Sequence, residues 1–199
     1  MPYAAEHKHR TRERIVDSAR DLFNRKGFVD VSIDEIMARA GLTRGGFYGH
    51  FDSKEDLFVE VVRAYAEFDP STRWHDIAFD ARSPANAFAR QMVDAYLSRS
   101  HLDDVAGHCP MIALPSDVAH GTERVKQAYR ALVERMSGVF AAGFAGEPAD
   151  ARQRGLALTA LCVGGMVLAR TFDDEAFREA IRAATHALAT EVVAAGAER

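Results

Sequence analysis

Apolar residues recur along this chain at the three- and four-residue spacing of an amphipathic α-helix. One set falls on a single helical face near the N-terminus, at Ile15, Val16, Ala19, Leu22 and Phe23. Lys26 then supplies a cation in the last turn, and Gly27 is the residue that a left-handed C-cap prefers. The pattern predicts a helix over about residues 7–26. No segment alternates apolar and polar residues over six positions, so we expect an all-α protein.

A capping pattern marks the start of a second helix. Ser32 and Glu35 have the spacing of a capping box, in which the serine hydroxyl accepts a hydrogen bond from the Glu35 amide and the Glu35 carboxylate accepts one in return. This helix is predicted to end at Ala40, before a glycine. Thr43 is predicted to cap a short third helix with an aromatic face. Ser53 is predicted to cap a fourth helix, whose apolar stripe continues to residue 65.

Proline residues mark further helix starts. Ser83 precedes a proline and is predicted to be the N-cap of a fifth helix, after a break that begins near residue 69. Cys109 also precedes a proline and is predicted to cap a short helix that Pro115 interrupts. Thr122 is predicted to cap the long helix that follows.

The last two predicted helices expose more apolar surface than one chain covers. Residues 156–168 are apolar on nearly all sides, so a helix there must be buried on most faces. Residues 177–192 carry a single apolar seam suited to packing against another helix. We predict that these two helices form the interface of a homodimer.

The distribution of charge points to nucleic acid although the whole chain is acidic. The 199 residues carry a formal net charge of −4, whereas residues 1–26 hold seven Lys or Arg against four Asp or Glu, a local charge of +3. A basic arm on an acidic body binds phosphate locally. The chain has 48% hydrophobic residues, two cysteines and no apolar run near the roughly 20 residues of a membrane span. We therefore expect a cytoplasmic protein with free thiols.

Residues 10–57 have the arrangement of a helix-turn-helix, in which a glycine turn joins two short helices behind a basic amphipathic helix. Their order and spacing are specific at Gly27, Ile36, Ala40-Gly41-Leu42-Thr43, Phe47-Tyr48, His50-Phe51 and Ser53-Lys54-Glu55. On these residues the segment resembles the TetR family of bacterial transcription regulators. Two positions depart from the family, since Met37 stands where many members have alanine and Gly49 where many have a bulkier residue.

The resemblance implies a homodimer with a helix-turn-helix DNA-binding domain at residues 1–52 and a ligand-binding and dimerisation domain at residues 53–199. It also implies a sequence-specific regulator, a repressor by the family's habit, that a small apolar or reactive molecule releases from a double-stranded DNA operator. The alternative is a DNA-bound adaptor or nucleoid protein with the same fold and no small-molecule ligand. The sequence shows no catalytic motif, cofactor motif or regular metal-ligand spacing, so we do not expect an enzyme.

Ten residues are predicted to contact DNA: Arg10, Arg12, Ser32, Thr43, Arg44, Gly45, Gly46, Tyr48, His50 and Lys54. Ser32 and Lys54 match positions that hold phosphates in the family. Gly45 and Gly46 are informative by themselves, because a glycine inside a helix costs about 1 kcal/mol relative to alanine and close approach of the backbone to a groove would explain the pair. In the alternative interpretation, Tyr48 and His50 are structural and the arginines are a solvated charge run.

Aromatic and methionine residues of the C-terminal region are the candidates for an effector pocket: Trp74, Phe79, Met92, Tyr96, Met111 and Tyr129. The same residues would equally fill an ordinary core. Cys109 is a further candidate, because a helix N-cap beside His108 lowers the pKa of a thiol and the segment resembles the cysteine-bearing turn of oxidant- or electrophile-sensing family members. The alternative is an ordinary semi-buried cysteine. Cys162 is predicted to serve packing alone.

Overall fold

The computed structural model describes residues 2–66, 79–80 and 82–197, and within these ranges every regular element is helical. The α-helices are α1 Pro2–Lys26, α2 Ile33–Arg39, α3 Lys54–Ala66, α4 Ala85–Tyr96, α5 Arg99–Asp103, α6 Pro110–Ala113, α7 Pro115–His120, α8 Glu123–Ala142, α9 Pro148–Thr171 and α10 Glu175–Ala197. In the part of the chain that the structure describes, 3₁₀ helices lie at Arg44–Gly49 and Val105–Gly107. The predicted all-α fold is confirmed.

The chain divides into two compact units, each formed from two stretches of the sequence. One unit, called the head unit below, comprises residues 1–67 and 105–130. The other, called the body unit, comprises residues 68–104 and 131–199. The head unit therefore contains the helix-turn-helix together with α6, α7 and the first turns of α8.

Helix starts in the head unit follow the predicted capping pattern. The Ser32 hydroxyl accepts a hydrogen bond from the Glu35 amide at 3.1 Å, and the Ser53 hydroxyl accepts one from the Asp56 amide at 3.0 Å. The Glu35 carboxylate accepts a hydrogen bond from the Lys26 ammonium group, which lowers the pKa of Glu35. Capping therefore begins α2 and α3, and a tertiary ion pair adds to the first cap.

Aromatic rings fill much of the interior of the head unit. Phe23, Phe28 and Phe58 form a triangle whose ring centroids lie 5.0 to 5.6 Å apart. Met37 is buried, and its Cε lies 3.6 Å from the point that a Cβ on Gly46 would occupy. The methionine thus fills the space beneath the 3₁₀ helix, and packing accommodates its departure from alanine.

Polar bonds attach residues 105–130 to α1. The buried Asn24 side chain donates from Nδ2 to the backbone oxygens of Ala106 and His108, each at 3.0 Å. The Asp117 carboxylate accepts a hydrogen bond from the Phe28 amide at 3.0 Å. These bonds hold the end of α1 against segments that lie more than 80 residues away in sequence.

Two further pairs attach the start of α8 to the first turn of α3. The Thr122 hydroxyl donates to the Glu55 carboxylate at 2.6 Å, and Arg124 forms an ion pair with Asp56. Helix α8 begins at Glu123, as predicted, although the Thr122 hydroxyl that was expected to cap it is directed to α3. The head unit is consequently held by side chains from both parts of the sequence.

The prediction for the start of the fifth helix is wrong by one residue. Helix α4 begins at Ala85 with Pro84 at the N-cap position, and the Ser83 hydroxyl accepts a hydrogen bond from Gln91 Nε2 at 3.0 Å. Ser83 therefore binds the Gln91 side chain of this helix and does not cap its first turn. At Gly27 the prediction is confirmed, because this glycine follows α1 with a φ of 81°.

Two of the next helix boundaries agree with the sequence prediction and one does not. Cys109 is the N-cap of α6, followed by proline, and a new helix starts at Pro115, as predicted. The sequence predicts that the fifth helix ends only before Gly107, but this helix ends at Tyr96. The Ser98 hydroxyl accepts a hydrogen bond from the His101 amide at 3.1 Å and begins α5. A serine within a continuous apolar pattern was the missed signal.

In the body unit, glycines allow α9 to pack closely against its neighbours. A Cβ on Gly155 would lie 2.5 Å from the backbone oxygen of Ser137 in α8, and a Cβ on Gly165 would lie 2.3 Å from Thr185 Oγ1 in α10. Real side chains cannot approach so closely. Both positions therefore require glycine for steric reasons.

Helices α9 and α10 and the turn between them leave large apolar side chains exposed. These residues are Leu156, Leu168, Phe172, Phe177 and Leu188. Helix α9 is also long and apolar enough, by length and composition, to cross a membrane, a test that the core helix of a soluble protein passes as well.

Candidate nucleic-acid interface

The 3₁₀ helix Arg44–Gly49 has one buried aromatic residue and one exposed aromatic residue. Phe47 is fully buried and packs against Phe51, with ring centroids 5.7 Å apart. Tyr48 is 59% exposed, and Arg44 is exposed as well. The exposure of Tyr48 excludes the interpretation that it is a core residue. It leaves an aromatic ring and a guanidinium group facing solvent on one short helix.

Thr43 stands at the N-cap position of this helix but makes no side-chain capping hydrogen bond, so the prediction of a threonine cap is wrong. The reason lies in the 3₁₀ geometry. The Gly46 amide, which a capping hydroxyl would bind, already donates to the Thr43 backbone oxygen at 3.0 Å. The exposed Thr43 side chain thus has no capping role.

The glycines of the 3₁₀ helix are not required by the fold of the chain itself. None of Gly45, Gly46 and Gly49 has a positive φ. A Cβ on Gly45 or Gly49 would meet nothing within 4 Å, and one on Gly46 would make an ordinary contact with Met37. Neither backbone strain nor internal crowding therefore excludes alanine at these positions. The absence of side chains leaves the outer surface flat and accessible.

An ion pair joins the two helices of the helix-turn-helix. Arg44 Nη1 lies 2.6 Å from Asp34 Oδ2, with side-chain exposures of 62% and 56%. Asp34 lies in the first turn of α2, where a carboxylate also favours the helix dipole. Sequence reasoning missed Asp34, because no local pattern indicates a partner ten residues away.

The contact of Arg12 with DNA stays a prediction, and the structure shows which groups of the head unit this side chain binds. Its guanidinium carbon lies 4.1 Å from the centroid of the Phe51 ring, Nη2 lies 3.3 Å from Glu60, and Nη1 donates to the backbone oxygen of His50. Arg12 therefore braces α1 against the end of the 3₁₀ helix and against α3. Arg10 remains exposed and forms a surface pair with the preceding turn of α1.

The contact of Lys54 with a phosphate also stays a prediction, and the structure gives this side chain backbone acceptors within the head unit. Lys54 Nζ donates to the backbone oxygens of Phe28 and Val31 at 2.8 Å each and of Val29 at 3.3 Å. An ammonium group has three donors, and these acceptors use all three. Burial lowers the pKa of Lys54. The side chain closes the loop between α1 and α2.

Ser32 and His50 remain compatible with contacts to DNA. The exposed Ser32 hydroxyl accepts the capping bond from Glu35, and its own O–H can donate to another group. His50 lies at the end of the 3₁₀ helix, where burial and the charges of Lys8 and Arg12 lower the pKa of the imidazole. A neutral imidazole still offers one N–H to an acceptor.

The predicted effector residues do not all belong to one unit. Phe79, Met92 and Tyr96 belong to the body unit, Cys109, Met111 and Tyr129 belong to the head unit, and Trp74 lies outside the described residues. Within the head unit, the Tyr129 hydroxyl donates to the Met111 backbone oxygen at 3.3 Å. Burial and the neighbouring Cys109 raise the pKa of Tyr129 to about 12. Cys109 is fully buried, which corrects the expectation of a semi-buried thiol.

Comparison with known proteins finds relatives of the N-terminal region. Residues 15–61 match the family described as "Bacterial regulatory proteins, tetR family". Over 59 residues, 30% of this chain and 43% of the relative, the sequence is 42% identical to the uncharacterized HTH-type transcriptional regulator TtgW of Pseudomonas putida. Over 51 residues, 26% of this chain and 24% of the relative, it is 47% identical to the HTH-type transcriptional regulator AcrR of Shigella flexneri. The chain spans less than half the length of these relatives.

The fold extends beyond the region of sequence similarity. The reduced form of NemR from Escherichia coli superposes with a TM-score of 0.72 over 92% of this chain and 96% of that chain, at 20% identity. At this identity the likeness establishes the fold alone.

Proposed function

We propose that the chain is a sequence-specific, ligand-responsive transcriptional regulator, acting as a repressor. The match of residues 15–61 to the bacterial regulatory proteins of the tetR family supports this proposal. Its proposed activity is binding and not catalysis, and its proposed location is the cytoplasm. The proposed partner is a double-stranded DNA operator.

The exposed surface of the 3₁₀ helix Arg44–Gly49 carries this proposal. Arg44 and Tyr48 face solvent, while Gly45 and Gly46 are glycines that the fold does not require. A helix of this kind enters the major groove, about 12 Å wide, where an arginine binds guanine and the backbone approaches the bases closely. We assign base contacts to Arg44 and Tyr48 and close backbone approach to the two glycines.

Phosphate contacts are proposed for residues around this helix. Thr43 and His50 flank the 3₁₀ helix and Ser32 is the N-cap of α2, and each carries a hydrogen-bond donor. Arg10 is an exposed cation on α1. Contacts to phosphate fix the position of a protein on the duplex but carry no sequence information directly.

We propose that the regulator is a homodimer joined through α9 and α10. The exposed Leu156, Leu168, Phe177 and Leu188 support this proposal, since burial against a second copy would remove their apolar surface from water. Sedimentation velocity at micromolar concentration tests it. A concentration-independent monomer would exclude the dimer.

Selection from a library of random duplexes tests the DNA-binding function. Two symmetric heads predict a pseudo-palindromic site with half-sites about 34 Å apart or somewhat more. Arg44→Ala is expected to relax the preference at one base pair of each half-site. Recovery of no enriched sequence, with equal affinity for all duplexes, would favour the nucleoid alternative and contradict a sequence-specific regulator.

The effector is proposed to be a small apolar molecule bound among aromatic and methionine side chains within one unit. The candidates are Phe79, Met92 and Tyr96 in the body unit, or Met111 and Tyr129 in the head unit. Titrating the operator complex with apolar and aromatic compounds tests this, and release of DNA supports it. Cys109→Ser, compared with the parent chain with and without a thiol oxidant, tests a reactive effector. Identical responses of the two proteins would exclude a thiol sensor at this residue.

A further inference from the structure

We propose that Asp34 is a positioning residue for Arg44, whose guanidinium group it orients toward a base edge. The proposal rests on the DNA-binding function proposed above. It adds a specificity determinant on α2 to the residues of the 3₁₀ helix.

The observation behind the proposal is the ion pair across the helix-turn-helix. Arg44 Nη1 and Asp34 Oδ2 lie 2.6 Å apart, and both side chains are more than half exposed. An exposed pair of this kind contributes little to stability, because water solvates both charges well and salt screens them. Stability is therefore a weak reason for this pair.

A lone carboxylate at this place would also oppose the proposed function. DNA presents a dense row of negative charges, so an acidic residue beside the recognition surface weakens association by repulsion. Pairing with Arg44 neutralises the charge of the carboxylate and so removes that repulsion. When DNA excludes water from the pair, the attraction between the two groups becomes stronger.

The geometry of arginine makes such a partner useful. Guanidinium is a planar fork with five N–H groups, so one bond to Asp34 leaves enough donors for a bidentate bond to guanine O6 and N7. Restricting the rotation of the long side chain before binding lowers the entropy lost on binding. Gly45, next in sequence, has no side chain that could restrict Arg44.

Binding to the selected duplex and to a scrambled duplex, at one salt concentration, tests the proposal. The variants are Asp34→Ala, Asp34→Asn, Arg44→Ala and the double variant Asp34→Ala/Arg44→Ala. Asp17→Ala is the matched control, because Asp17 is another exposed carboxylate of the head unit that pairs with an arginine, Arg20, at 3.0 Å.

The proposal predicts opposite effects on the two duplexes. Asp34→Ala is expected to reduce the ratio of specific to non-specific affinity by about tenfold, within the range of a single bidentate contact, while affinity for the scrambled duplex rises. Asp34→Asn keeps an acceptor for Arg44 and is expected to retain more of the ratio. In the Arg44→Ala background, Asp34→Ala is expected to leave the ratio unchanged. Asp17→Ala is expected to leave it unchanged in the parent chain.

Three results would overturn the proposal. Equal loss of affinity for both duplexes together with a lower melting temperature would assign Asp34 to the start of α2. Loss of preference at a base pair that Arg44→Ala leaves intact would mean that Asp34 reads a base itself. An unchanged ratio in Asp34→Ala would show that Arg44 needs no positioning. If the parent chain has no sequence preference, the proposed function fails together with this inference, and that outcome is recognised before any variant is made.

Discussion

Replacement of Gly45 by alanine separates the requirements of the fold from those of DNA binding. The position has no positive φ, and an added Cβ would meet nothing within 4 Å. Nothing in the described part of the chain therefore opposes the methyl group. If the backbone lies close to the floor of a groove, however, the methyl group occupies space that the DNA needs.

The two effects have opposite signs. Alanine is more favourable than glycine in a helix by about 1 kcal/mol, and the lower entropy of the unfolded chain alone accounts for about 0.4 to 1 kcal/mol. For a chain of this size, 1 kcal/mol corresponds to about 2–4 °C in melting temperature. We expect Gly45→Ala to raise the melting temperature by about 1–3 °C and to weaken operator binding at least about tenfold, which is 1.4 kcal/mol.

Gly138→Ala is the matched control. Gly138 lies within α8, is exposed, and a Cβ there would also meet nothing within 4 Å. This variant is expected to melt higher and to bind the operator as the parent chain does. Thermal unfolding and a fluorescence titration of labelled operator measure the two quantities on the same preparations.

Two outcomes would refute the reasoning at different steps. A lower melting temperature for Gly45→Ala would show that the fold itself needs glycine at this position. Unchanged operator affinity with a raised melting temperature would show that the backbone does not approach the bases closely. In that case Gly45 and Gly46 need a different explanation.

Three further predictions concern the head and body units. Lys54→Met is expected to destabilise the protein by about 1–3 kcal/mol in urea unfolding, because three backbone oxygens lose a charged donor. Unchanged stability together with a flatter salt dependence of DNA binding would instead assign Lys54 to a phosphate contact. Folding lowers the pKa of His50, so the unfolded chain binds more protons and the free energy of unfolding rises with pH up to about 6.5. His50→Asn is expected to reduce this rise. The same pH dependence of stability in His50→Asn and the parent chain would contradict the reasoning. Gly155→Ala is expected to destabilise the protein by more than about 2 kcal/mol in the same urea assay, because its Cβ would lie 2.5 Å from the Ser137 backbone oxygen. Stability equal to that of the parent chain would exclude this close packing of α9 against α8.

The features that sequence predicted well are those encoded within a few residues. The caps at Ser32 and Ser53 were predicted because a capping hydroxyl binds an amide only three residues away. Cys109 was placed correctly at an N-cap because the proline after it fits only the first turn of a helix. At Ser83 the sequence allows a helix start at either of two neighbouring residues. The hydrogen bond that Gln91 donates to Ser83 distinguishes them, but Gln91 reaches Ser83 only once the helix has formed.

Features that depend on the partner of a cation were not predictable. Arg12 and Lys54 have the charge and position of phosphate-binding residues, yet their acceptors are backbone oxygens that the turns of the head unit bring together. Arg14 likewise donates to the backbone oxygen of Ala40, at the end of α2. Sequence alone cannot show such acceptors, because the tertiary fold decides which free backbone oxygens at helix ends lie near a given side chain.

Among the cations of the head unit, Arg44 differs from three others in the groups that it binds, a difference that charge alone does not indicate. Arg12, Arg14 and Lys54 satisfy backbone oxygens at helix ends and in the loop after α1, which stabilises the scaffold that presents the 3₁₀ helix. Arg44 lies on the outer surface with a carboxylate partner. Rigid support beneath a surface lowers the entropy lost when that surface binds, so Arg12, Arg14 and Lys54 favour the proposed DNA binding through the scaffold. In the proposed function, specific recognition then depends less on the number of basic residues than on Arg44, which lies exposed on the 3₁₀ helix.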